Sequence, residues 1–312
     1  MDSRTRYSNF AAAALDLPVF MQAWYLDAVC AGGAWDAVFV EKAGQTVAAW
    51  PFFVKKKWAW RYVSMPPLCR MMGPWLLPKH RNTDDEHRIY AELLAQMPRF
   101  AAFQQDGNYQ FTNWLALYWQ GWRQTTRYSY VLNINDLGVV WQGMAADYRN
   151  HKIKKASQQV RIRRGGDLAE LYRVHNLSFG RQGMKPPFAF AFLKNLDAAL
   201  AAHQAREVFF AEDLATGATH AIAYVIWDKT AAYLLLAGDD PALRASGAGV
   251  LVIWEAIKFA SEELRLPVFD FAGSMIPGVE RVRRQFGARQ QPYFRVQKEW
   301  SPLFKIGKML LR

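Results

Sequence analysis

Short apolar runs broken by polar turns alternate along this chain with longer stretches of helical period, and most secondary structure can be read from that rhythm. "WDAVFVEK" and "QTVAAWPFFVKK" meet at "KAGQ" and predict a β-hairpin. "PVFMQAWYLDAVC" (18–30) predicts a helix with Pro18 in its first turn. "RNTDDEHRIYAELLAQM" predicts another, capped by Asn82 or Thr83, with acids in the first turn where the helix dipole favours them. "YQFTNWLAL" and "YSYVLNI" read as strands, and 139–164 as a basic helix and its exit. Beyond "GGD" the order is helix (167–182), helix (188–203), the strands "REVFFAED", "HAIAYVIWD" and "AAYLLLAG", helix (246–263), strand "LPVFDFAG", helix (278–286) and strand "YFRVQKEW".

The segment from "DAVFVEK" to "RYVSM" and the one from "EVFFAED" to "YLLLAG" share one plan: strand, polar turn, apolar strand, polar turn, strand. Such self-similarity predicts two copies of one unit, placed at 1–145 and 146–312. The copies then diverge. The first continues "PPLCRMMGPWLLP", whose prolines block a helix start, whereas "DDPALRASGAGVLVIWEAIKFA" opens one.

Composition fits a packed protein: 52% of the 312 residues are hydrophobic and 15% aromatic, with thirteen tryptophans. A net charge of +12 favours anionic partners: nucleic acid, phosphate-rich cofactors or an anionic membrane surface. The cysteines, Cys30 and Cys69, have no metal-ligand spacing, and the N-terminus has no sustained apolar region. The expectation is a cytoplasmic, soluble chain without a disulfide framework. The histidines show no ligand spacing, no metal is expected, and HExxH, GxxxxGK[ST], GxGxxG after a strand and GxSxG are absent.

The candidate chemistry centres on "LRASGAG" (243–249), between a strand and a helix. A glycine-rich turn there presents backbone N–H groups and the positive end of a helix dipole, and glycines let a phosphate approach. A plain helix-entry turn is the alternative on these residues alone. In context, the order α-α-β-β-β-(RxxGxG)-α-β-α-β resembles the GNAT N-acyltransferases. "VFDFAGSMIPGVERVRRQFGARQQPYFRV", "RNHKIKKASQQV" and "LSFGRQGMKPP" look like those of the Fem-type, tandem-GNAT family, which includes ligases that add amino acids to peptidoglycan precursors. "WYLDAV", "PFFVKK", "MPPL" and "MGPWL" fit a first copy without a donor loop.

The resemblance implies an α/β fold with a mixed sheet in two tandem GNAT-like units. It implies acetyl-CoA or another acyl-CoA as donor co-substrate, held by Leu236, Ala237, Arg244, Ser246, Gly247, Ala248 and Gly249. Asp270, Ser274 and Tyr293 are the candidates for acid–base work on an amine acceptor, each with a core, turn or capping role as alternative. Many GNAT enzymes protonate the leaving thiolate with a tyrosine in the last helix; "VERVRRQFGA" has Phe286 and no tyrosine. Lys152 and Lys155, with Arg281 and Arg284, are the candidates for anionic substrate.

The acceptor is expected to be a small molecule or cell-envelope precursor such as an amino sugar. Two alternatives stand beside acyl-CoA transfer: aminoacyl transfer from tRNA to a peptidoglycan precursor, and a non-catalytic RNA- or membrane-surface-binding protein. The tail "WSPLFKIGKMLLR" reads as a packed terminal segment or as one lying on a membrane surface.

Overall fold

The computed structural model describes residues 1–180, 186–273, 275–301 and 304. The chain divides into two compact units, 1–127 with 292–312, and 128–291. The division thus falls before the boundary expected at 145/146, and the terminal segment returns to the first unit instead of closing the second.

The first unit contains α1 (Ser3–Ala13), α2 (Ala23–Val29), β1 (Ala34–Lys42), β2 (Gln45–Lys57), β3 (Trp60–Val63), β4 (Trp75–Leu76), α3 (Thr83–Gln96), β5 (Ala102–Asp106) and α4 (Leu115–Trp119). β6 (Arg123–Asn133) leads into the second unit. There follow α5 (Leu137–Gly143), a π-helical turn (Tyr148–Lys152), α6 (Ile153–Ser157), β7 (Val160–Arg164), α7 (Leu168–Gly180), α8 (Phe190–Ala202), β8 (Arg206–Asp213), β9 (Thr219–Trp227), β10 (Ala232–Asp239), α9 (Ala248–Glu262), β11 (Val268–Asp270) and α10 (Pro277–Gln285). β12 (Arg289–Glu299) leads back.

The predicted hairpin is β1–β2, closed by Ala43 (φ 49) and Gly44 (φ 74) between paired Lys42 and Gln45. Two consecutive left-handed residues match the twist of a two-residue hairpin. The strand order in the first unit is β1-β2-β3-β5-β12, with β4 on β2. β3 and β5 are parallel and joined by a crossover containing α3. Its core includes Trp50, Phe52, Leu93, Phe103 and Phe111. Asn82 caps α3 with its own side chain, accepting from Asp85 N–H at 3.0 Å, and Asp84, Asp85 and Glu86 fill the first turn. A helix entry already holding an amide oxygen and three acids repels a phosphate.

Three elements differ from expectation. The helix expected over 18–30 is a 3-10 turn (Val19–Met21) and α2, parted by an extended Gln22. "YQFTNWLAL" is not a strand: the strand is β5, and the aromatics that follow serve α4 and the core, with Phe111 buried. The basic segment 139–164 is α5, the π-helical turn and α6, ending in β7.

In the second unit the order is β6-β11-β10-β9-β8-β7. α9 is buried nearly all round through residues such as Leu251, Val252, Ala256 and Ile257, as expected of a helix packed against the sheet and covered on its other side. α7 approaches β10 closely at Gly238, where a Cβ would lie 3.1 Å from the His175 Cα and 3.2 Å from the Val174 carbonyl. Cys30 and Cys69 are free, buried thiols. No described helix is long and apolar enough to cross a membrane.

Candidate active site

The parallel pairing of β10 with β11 covers only Ala232↔Phe269 and Tyr233↔Asp270. β10 then continues to Asp239, with a bulge against β9 between Leu234 and Leu236. β11 instead follows β6, since Phe271 N–H donates to the Tyr130 carbonyl at 2.9 Å. The two strands therefore part at their carboxyl ends, where α/β folds characteristically open a ligand crevice. Leu236 and Ala237 lie on β10 beyond the point of parting, so the expectation set both on the crevice strand.

The turn 244–249 leads from β10 into α9. Arg244–Ser246 form a single 3-10 turn, and Gly247 caps α9 with φ 80, a conformation that favours glycine. Ser246 is buried and its Oγ accepts from Ala248 N–H at 3.2 Å. Gly247 serves a protein contact: a Cβ would lie 2.9 Å from the Lys152 carbonyl oxygen and 3.1 Å from the Lys152 Cα. Gly249 is roomier, with Asp239 Oδ1 at 3.6 Å from its added Cβ.

The basic segment meets this same turn. Lys155 Nζ donates to the Ala245 carbonyl at 2.7 Å. Lys152, whose backbone faces Gly247, pairs with Asp147 at 3.0 Å, and Arg244 pairs with Asp239 at 2.8 Å. Among the described residues Lys155 has no carboxylate partner, so the turn keeps one exposed, uncompensated ammonium. Of the residues expected for anionic substrate, Lys152 and Lys155 thus meet the turn expected for the donor. Arg244 is not a free clamp, because Asp239 offsets its charge.

The segment bearing these lysines is pinned to α10. Ala145 N–H donates to the Gln285 carbonyl at 2.8 Å, and a Cβ on Gly287 would lie 2.7 Å from the Gly143 carbonyl oxygen. Tyr148, which the sequence did not single out, packs edge-on against Phe286 with ring centroids 5.2 Å apart. Burial pushes its hydroxyl up to about 12, so it stays protonated at neutral pH. A phenol from another element thus stands beside the helix position that lacks a tyrosine. Nothing in the sequence signals that placement.

Asp270 closes β11 and is 1% exposed. Its Oδ1 accepts from Ser129 Oγ at 2.5 Å and from Ala272 N–H at 2.7 Å, while Ser129 Oγ accepts from Gly273 N–H at 2.8 Å. Ala272 (φ 54) and Gly273 (φ 74) are both left-handed. This carboxylate organises the turn beyond β11, the capping alternative weighed for it. Ser274 lies outside the described residues. Tyr293 belongs to the first unit, where it packs against Tyr109 with centroids 6.2 Å apart; burial raises its hydroxyl above the usual tyrosine range. In that unit Arg295 binds both oxygens of Asp106, at 2.5 and 2.8 Å.

On α10, Arg284 pairs with Glu280 at 2.9 Å, and both it and Arg281 are exposed. Glu280 also accepts from the Tyr130 hydroxyl at 3.1 Å, which itself accepts from Gln290 Nε2 at 2.7 Å. The Arg284 hydrogen bond holds the Glu280 carboxyl below the usual range. Such a carboxylate can attract an ammonium group but is a weak base near neutrality.

Residues 146–292 match the family model of the acetyltransferase (GNAT) domain. The chain is similar in fold to the crystal structure of FemX, with TM-score 0.74, 11% identity and 98% of each chain covered. It is also similar to a tandem GNAT protein from the clavulanic acid biosynthesis pathway, with TM-score 0.59 and 12% identity over 96% of this chain and 95% of that one. A third similarity is to L-PGS from Bacillus licheniformis, with TM-score 0.56 and 12% identity over 99% and 96%. No curated protein matches the sequence.

Proposed function

Because residues 146–292 match the acetyltransferase (GNAT) domain and the whole chain shares the fold of FemX and of a tandem GNAT protein, we propose that it is an N-acyltransferase. In this reading the donor is an acyl-CoA, acetyl-CoA in the simplest case. Its phosphates lie at the α9 entry beside Lys155, and its acyl arm runs along β10 at Leu236 and Ala237. One observation carries the proposal: the crevice between β10 and β11 opens on the strand that leads directly into a glycine-capped, lysine-flanked helix start. The neutral amine attacks the carbonyl carbon, the C–S bond breaks, and the nitrogen proton leaves to base or solvent. Tyr148 serves as hydrogen-bond donor to the leaving sulfur, and the ionised Glu280 draws the amine toward the site. The acceptor we favour is a cell-envelope precursor bearing an amine.

A second reading, aminoacyl transfer from tRNA, is favoured by the excess of 39 basic over 27 acidic residues and by the lysines packed at the turn. Titration calorimetry with CoA separates the two. Under the first reading the protein binds CoA, and Lys155→Glu weakens binding at least about tenfold, the loss of one charge-assisted hydrogen bond. A folded protein that ignores CoA but binds tRNA in a salt-dependent manner supports the second.

A further inference from the structure

The hairpin joining β2 to β3 carries features that acyl transfer does not use. Lys57 pairs with Trp60, leaving Trp58 and Ala59 as a two-residue turn. Trp58 has φ 53, in the left-handed region where a bulky side chain is strained. The indole is also 63% exposed, so burial in this chain does not offset the strain. Around it, Lys56, Lys57 and Arg61 are exposed and Lys55 is half-buried. Among the described residues none of these four cations pairs with a carboxylate. Their contacts are to rings: Lys57 over Trp58 at 5.2 Å, Lys55 over Phe53 at 5.6 Å and Arg61 over Phe100 at 5.7 Å. Phe304 packs on the same hairpin, 6.3 Å from the Trp60 ring and 5.2 Å from Tyr62. After Phe304 the sequence reads "KIGKMLLR", three cations among four apolar side chains.

The geometry points to this hairpin tip as a docking surface for a bilayer rich in anionic phospholipid. An indole held outward on a turn suits the boundary between headgroups and acyl chains, where an amphipathic ring has both its environments. The unpaired cations around it meet the negative surface potential of such a membrane. A duplex nucleic acid would also engage the lysines, but its stacked base pairs offer no apolar phase for Trp58. The surface is independent of the donor chemistry proposed above and would bring the protein to a membrane-borne acceptor.

Co-sedimentation with phosphatidylcholine vesicles, with and without phosphatidylglycerol, tests it. The full chain is expected to pellet only with the anionic vesicles, and less as salt is raised. Lys56→Gln and Lys57→Gln should each lower the partition about fivefold. Trp58→Gly should lower it too without lowering the melting temperature, because glycine accepts the turn geometry. CoA affinity serves as a separate readout and should be unchanged in all three variants. Equal pelleting with both vesicle types, or wild-type pelleting by the lysine and Trp58 variants, would overturn the inference. So would RNA binding that the lysine variants abolish in a protein that ignores vesicles.

Discussion

Gly247→Val is expected to destabilise the protein by about 3 kcal/mol, which for the second unit lowers the melting temperature by about 6–12 °C. Two effects add. A left-handed backbone costs any residue with a Cβ about 1–2 kcal/mol, and a β-branched one suffers most. The new Cβ would also lie 2.9 Å from the Lys152 carbonyl oxygen, a backbone atom that cannot swing aside. Gly249→Ala meets only the ordinary contact to Asp239 and should melt within about 0.5 kcal/mol of wild type. Thermal and urea denaturation of the two variants checks this. A Gly247→Val protein as stable as wild type would mean that the contact with Lys152 is not kept in solution. Loss of donor binding in that variant would by itself report unfolding as readily as loss of a phosphate site, so Gly249 and Lys155 are the informative positions.

Asp270→Ala is expected to cost about 3 kcal/mol, whereas Asp270→Asn should cost less than about 1. Two of its donors, Ser129 Oγ and Ala272 N–H, converge on Oδ1. An asparagine keeps that acceptor; an alanine leaves a buried hydroxyl and a buried N–H unpartnered within a turn of two left-handed residues. Acyl-transfer rates divide the roles. A turn-organising carboxylate predicts that the asparagine variant stays within about tenfold of wild type. A general base predicts a loss of about 10²–10⁴ on the same change.

Much of this was legible locally. The hairpin announced itself by apolar strands around a glycine turn, α3 by Asn82 and its acids, and the α9 entry by glycines after an apolar strand. Sequence could not show what depends on distant neighbours. Nothing local announces that the Lys152 backbone lies against Gly247, or that Ser129, 141 residues away, is bonded to Asp270. Tyr148 carried no signal because its neighbour Phe286 is contributed by α10. The stretch 109–117 was misread because apolar and aromatic enrichment marks burial as well as strand, and here Phe111 fills the core while the chain turns into α4. The return of the terminal strand to the first unit left no mark in composition at all.

The most direct test of acyl transfer is thiol release from acetyl-CoA by the purified protein in the presence of amino-sugar and peptidoglycan-precursor amines. Release that depends on the amine, and that falls in the Lys155→Glu variant while the variant keeps its wild-type melting temperature, is the predicted result. Thiol release absent with every amine, in folded protein that binds neither CoA nor acetyl-CoA, would contradict the acyl-CoA reading.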